Sequence, residues 1–144
     1  MRIFLDVNVI LDVLAEREPW ADASASVMAL LEIEEVEGVV AAHTVTTLYY
    51  LLSKHLNRKK ATAALVDLLN LVSVAEVNED VILKAISLGW PDLEDAVQAV
   101  CALESGADFI ITRDAQLFDA LSVPAVTPDE FLTLLDASQD ESEA

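Results

Sequence analysis

Short apolar runs alternate with longer stretches of helical spacing along almost the whole chain, and few architectures accept that order. Strands are expected at residues 2–5, 38–42, 73–77 and 108–112, with a weaker fifth at 123–126. Helices are expected at 8–16, 20–36, 44–56, 58–71, 79–89, 92–105, 115–121 and 128–136. Apolar strands bracketed by helices imply an α/β fold, with a mostly parallel sheet covered on both faces. Several boundaries carry their own chemistry. Thr127-Pro128-Asp129-Glu130 combines an N-cap, a proline in the first helical position and a capping-box glutamate. Asn78 is placed to cap the next helix, and Gly106 stands where a chain leaving a helix commonly needs positive φ.

Two of the strands end in aspartate: Asp6 after Arg2-Ile3-Phe4-Leu5, and Asp114 just beyond Phe109-Ile110-Ile111-Thr112. The carboxyl ends of parallel strands converge on the crevice where open α/β sheets bind ligands. Carboxylates gathered there repel one another unless a cation lies between them, and hard oxygen donors suit Mg²⁺ or Mn²⁺. A third acidic group is Asp92-Leu93-Glu94-Asp95. Asp92 reads as an N-cap and auxiliary acid, since acids in a first helical turn are stabilising. Asp95 shares a helical stripe with Ala99, Ala102 and Gly106, small residues that let a helix approach a sheet, so it is expected to face inward. Glu94 shares its stripe with Gln98, Cys101 and Ser105 and is expected to face outward; Asp12, one turn beyond Asn8, is expected at the surface. Thr112 is placed to orient a carboxylate or a bound water, and Arg113 to pair with an acid or touch phosphate.

Charge narrows the classes further. Twenty-six acids against eight Lys and Arg give a formal −18, which opposes non-specific binding to nucleic acid or anionic membrane and suits a basic protein partner. Half of the basic side chains, Lys54, Arg58, Lys59 and Lys60, fall within seven positions. They form either a solvated helix corner or a phosphate-facing patch. No apolar stretch reaches the roughly 18–20 residues of a membrane helix, no secretory signal is visible, and Cys101 is the single cysteine. A cytoplasmic setting is expected. One domain over 1–136 is expected, followed by an acidic, disordered tail at 137–144. His43 and His55 lack zinc-ligand spacing, and there is no Walker loop, Gly-x-Gly-x-x-Gly or Gly-x-Ser-x-Gly.

Phe4-Leu5-Asp6-Val7-Asn8-Val9, Asp92-Leu93-Glu94-Asp95-Ala96 and Ile110-Ile111-Thr112-Arg113-Asp114 resemble, in order and spacing, the PIN-domain family. The resemblance covers residues 1 to about 136 and is nearest to the single-domain prokaryotic branch, which includes VapC-type toxins. It implies a three-layer α/β/α sandwich with four to five strands, and a Mg²⁺- or Mn²⁺-dependent endoribonuclease. It further implies an RNA substrate, an antitoxin protein partner and a homodimer. Asp6, Asp95 and Asp114 match the family's acidic metal ligands, and Asn8 and Thr112 its supporting polar positions. The departure is Thr47, which stands where most active members carry a glutamate. Two other readings remain: a PIN fold working as a protein- or RNA-binding module, and a phosphatase of the haloacid-dehalogenase type. The latter needs a general acid two residues beyond its nucleophile, where this chain has Asn8.

Overall fold

Side chains alternate across each central strand, and here both sides of the alternation are apolar. Ile3, Leu5, Val40 and Ile111 enter one core cluster, while Phe4, Val39, Ala41 and Ile110 enter another on the opposite face. A sheet greasy on both faces needs helices on both. Each Leu, Ile or Phe fully buried this way contributes about 1.5–3 kcal/mol. The computed structural model, which describes residues 1–143, places five strands in one parallel sheet. They are β1 (Arg2–Leu5), β2 (Glu37–Ala41), β3 (Val72–Ala75), β4 (Phe109–Ile111) and β5 (Ala125–Val126), in the order β3-β2-β1-β4-β5.

The first core lies under α1 (Val7–Leu14), α2 (Ala21–Glu32), α3 (Ala42–His55), α4 (Arg58–Leu69) and α7 (Pro128–Glu143). The second lies under α5 (Glu79–Ser87) and α6 (Leu93–Glu104). The fold is therefore the three-layer α/β/α sandwich. Close approach has a local cause at Gly38, where an added Cβ would stand 2.8 Å from Leu31 of α2. Three expected caps are present as hydrogen bonds: Val81 N–H to Asn78 at 3.0 Å, Asp95 N–H to Asp92 at 3.1 Å, and Glu130 N–H to Thr127 at 3.2 Å. Gly106 leaves α6 with φ of 72°.

Three boundaries depart from expectation. The helix expected at 115–121 is a single 3-10 turn, Ala115–Phe118, because only Phe118 of that stretch is buried. Its ring meets Trp90 edge-on at 5.8 Å. The second helix stops at Glu32 rather than 36, where Glu34 turns with φ of 59° before Val36 enters the core. At the other end, the segment expected to be a disordered tail continues as helix to Glu143, and Ala144 lies outside the described residues. Thr127 and Pro128 start this helix, Phe131 anchors it in the core, and no glycine or proline follows to end it.

Candidate functional site

The central strand fixes where a site forms. From β1 the chain builds outward on one side through β2 and β3, then crosses to the other side for β4 and β5. The crossovers diverge between β1 and β4, which opens a crevice at their carboxyl ends. Asp6 stands there directly after β1, and its N–H donates to the Ile111 carbonyl of β4 at 3.0 Å. Its carboxylate is buried, 6 % exposed, at the N-terminal position of α1, yet makes no capping bond. Thr112, fully buried at the end of β4, donates its hydroxyl to Asp6 Oδ2 at 2.8 Å and accepts the Asp114 N–H at 3.1 Å. Asp6 Oδ1 is buried with no hydrogen-bond partner.

The first turn of α6 faces this crevice. Asp95 is partly buried, and its carboxyl is raised from 3.8 to about 6, first by burial and then by the charges of Asp92, Asp6, Glu94 and Asp114. Asp6, Asp92, Asp95 and Asp114 thus share one electrostatic environment, as the strand ends require. Asp92 spends one oxygen on its cap, while exposed Asp114 caps nothing. Glu94 is exposed as expected, but the rest of the stripe expected to face outward does not follow it. Gln98 and Cys101 are each 1 % exposed, because α6 is buried on nearly every side from Ala96 to Ala102. Glu94 itself is exposed but leans towards the first turns of α3, where Thr47 donates its hydroxyl to Glu94 Oε1 at 3.5 Å. Beside them, His43 has both ring nitrogens buried without a hydrogen-bond partner. Burial pushes its imidazolium below the usual range, and the Glu94 charge works against that.

Asn8 and Arg113 lie in a second layer. Asp12, expected at the surface, is instead completely buried. Arg17 pairs with it at 2.8 Å and Arg113 at 3.2 Å. Arg17 also reaches Asn8 Oδ1 at 3.2 Å, and Arg113 stacks on Trp20 at 4.0 Å. The charge of Arg113 is committed to Asp12 and to the indole face. Lys54, Arg58, Lys59 and Lys60 are all exposed at the corner between α3 and α4. Lys54 lies over the Tyr50 ring at 4.3 Å, and Arg58 lowers the Tyr49 phenol by hydrogen bonding to it. Thr47 and Lys54 stand seven positions apart on α3, about 10 Å along the axis. A separate concavity of about 900 Å³ beside β2 and β3 is lined by none of the strand-end acids.

The donors suit a hard divalent ion: they are carboxylate and hydroxyl oxygens, one of them buried and unbonded, with no cationic side chain among the charges acting on Asp95. Among the described residues no three His, Cys, Asp or Glu side chains close directly on a single point. The contact between Thr47 and Glu94 and the burial of the His43 ring nitrogens are not foreseen from the sequence. A clue for Glu94 was its position beside Asp95 in one first turn; His43 carried none.

The family signature described as PIN domain matches residues 2–116. Ribonuclease VapC1 of Aquifex aeolicus (strain VF5) is 28 % identical over 135 residues, covering 90 % of this chain and 92 % of that protein. A chain of VapBC2 from Rickettsia felis, solved with a DNA fragment from its promoter, superposes with a TM-score of 0.70 at 13 % identity. It covers 88 % of this chain and 98 % of its own. Mycobacterium tuberculosis VapC20, a sarcin-ricin loop cleaving toxin, gives 0.62 at 16 % identity over 75 % and 86 % of the two chains.

Proposed function

The chain belongs to the PIN-domain family, and from that premise we propose that it is a divalent-metal-dependent endoribonuclease, the toxin of a toxin–antitoxin pair. The observation that supports this reading is the buried Asp6 carboxylate at the end of β1, with Oδ1 unbonded and Oδ2 tied through Thr112 to the turn that bears Asp114. The likeness to VapC1, a ribonuclease, supports the same activity.

Asp6, Asp95 and Asp114 are the residues that would hold the ion, Mg²⁺ or Mn²⁺. When bound, such an ion lowers the pKa of its water and neutralises charge on phosphoryl oxygens. Thr112 fixes the Asp6 carboxylate through Oδ2, while Oδ1 is buried with no hydrogen-bond partner. The same hydroxyl accepts the Asp114 N–H, so one side chain orients the turns after both strands. Asn8 is held by Arg17, which keeps the first turn of α1 in register with the acids. The exposed basic corner at Lys54, Arg58, Lys59 and Lys60 offsets the −18 charge where a polyanion approaches along α3.

A protein partner and self-association fit α5, whose Ile82, Leu83 and Ile86 are 39 %, 58 % and 57 % exposed. No helix among the described residues is long and apolar enough to cross a membrane, and we place the protein in the cytoplasm. Residues 1–136 form the catalytic domain in this reading.

Cleavage of a structured RNA by wild type, Asp6→Asn and Asp95→Asn, in Mn²⁺ and in EDTA, tests it. Wild type is expected to cut only with Mn²⁺, and both folded variants to be inert. A variant that cuts like wild type, or a wild type inert with Mn²⁺, overturns the reading.

A further inference from the structure

We propose that the exposed stripe of α3 carrying Tyr50 and Lys54, with Arg58 beside it at the start of α4, is a subsite for unpaired RNA nucleotides. A base lies on the Tyr50 ring, and neighbouring phosphates meet Lys54 and Arg58. This rests on the ribonuclease reading above and adds how the strand is held. A division among the cations points to it. Arg2, Arg17, Lys84 and Arg113 each pair with a carboxylate, whereas Lys54, Arg58, Lys59 and Lys60 pair with none among the described residues. Twenty-six acids are available to eight bases, so four unpaired cations in one corner mark a place from which carboxylates are kept away. Residues 38–66 contain no Asp or Glu. Arg58, Lys59 and Lys60 also occupy the first turn of α4, where cations oppose the helix dipole. An anionic ligand relieves that local excess.

Charge alone would suit any polyanion; the aromatic rings narrow the choice. Lys54 Nζ lies 4.3 Å from the centre of the Tyr50 ring, and Tyr50 is still 57 % exposed. Tyr49, Tyr50, Ser53, Lys54 and Arg58 line one open concavity of about 410 Å³. An exposed ring among cations is what a single strand takes, since a base stacks on the ring while the backbone meets the charges. A base inside a duplex has no free face to offer. The placement also suits a strand that reaches the crevice. Thr47, Tyr50 and Lys54 stand at i, i+3 and i+7, so they share one face of α3. That face begins where Thr47 touches Glu94, in the first turn of α6 that also carries Asp95. It runs about 10 Å to Lys54, the length of about three stacked nucleotides at about 3.4 Å each.

The test is fluorescence anisotropy of a labelled single-stranded RNA, and of a blunt RNA duplex of equal length, titrated with the full chain in EDTA so that nothing is cut. Wild type is expected to prefer the single strand. Tyr50→Ala is expected to weaken the single strand about five- to a hundredfold, the usual effect of losing one stacking ring, and to leave the duplex unchanged. Tyr50→Phe keeps the ring and should bind like wild type. Lys54→Ala combined with Arg58→Ala should lower the slope of log affinity against log salt by about 1.4, as the loss of two phosphate contacts requires. Tyr50 is exposed, so circular dichroism should be unchanged by either substitution there. Wild-type affinity in Tyr50→Ala, or an equal loss on strand and duplex, overturns this inference. A polyglutamate peptide that displaces the RNA at matched charge also overturns it, since the corner would then be a surface for acidic protein. Wild type that cuts RNA with Mn²⁺ but binds none in EDTA overturns this inference alone; wild type that neither binds nor cuts overturns the ribonuclease reading with it.

Discussion

Replacing Asp95 by asparagine should make the metal-free protein more stable, and by an amount that depends on pH in a defined direction. The carboxyl takes up its proton at about pH 6 in the fold, against 3.8 ordinarily, first because burial strips it of water and then because four acids surround it. At about 1.4 kcal/mol per tenfold change in proton affinity, the difference sets a ceiling of about 3 kcal/mol. Asp95 is only partly buried, so solvent screening reduces the realised penalty to about 1 kcal/mol. The sign follows from proton counting. Between about pH 4 and 6 the folded state holds a proton that the unfolded chain has released, so this group makes stability fall as pH rises through that window. Below it the wild-type carboxyl is neutral in both states, and asparagine gains nothing. Above it the penalty is complete, and asparagine should raise the melting temperature by about 2–4 °C for a domain of this size. Thermal unfolding of both proteins in EDTA from pH 3.5 to 8 measures this, with the difference between them isolating one carboxyl from its titrating neighbours. Adding Mn²⁺ at pH 8 should then stabilise wild type and not the variant, because only a bound ligand shifts the unfolding equilibrium. A stability gap that does not change with pH, or a variant less stable than wild type at pH 8 in EDTA, would refute the electrostatic account.

Two other substitutions test the layer behind the acids. Asp12→Ala leaves Arg17 and Arg113 facing a buried position with no counter-charge; since both are partly exposed, the expected loss is about 2–3 kcal/mol, below the range for fully buried pairs. Urea unfolding reads it directly, and an unmoved midpoint would mean that the pair contributes nothing. Thr112→Val keeps the shape of the side chain but removes the donor to Asp6 Oδ2, leaving both oxygens of a buried carboxylate unbonded at about 1–3 kcal/mol. Its Mn²⁺ affinity should also drop by roughly 10–100-fold, and calorimetry matching wild type would contradict the role given to that hydroxyl.

The layered fold was readable because its signals are local. Alternation in Ile3-Phe4-Leu5, the caps at Asn78, Asp92 and Thr127, and Gly106 each depend on a few adjacent residues. The convergence of strand-end acids was equally legible, since parallel topology dictates where such residues meet. What escaped depends on distant partners. Asp12 looks like a surface acid until Arg113, a hundred positions away in sequence, packs against it. Helical phase puts Gln98 and Cys101 outward with the exposed Glu94, yet phase separates faces only when one face is wet, and α6 is enclosed through Ala96–Ala102. The helix expected after Asp114 shortened to one turn because Phe118 alone had a core to enter.

The position of β1 in the middle of the sheet has a consequence for synthesis. Its partner on one flank, β4, pairs Ile3 with Phe109, so the ribosome must make more than a hundred further residues before that ladder can close. Until then the segment bearing Asp6 has neither Thr112 nor Asp114 beside it. Pairings so remote in the chain are slow to form. The crevice between β1 and β4 therefore cannot assemble until β4 has been made, however early the segment bearing Asp6 leaves the ribosome.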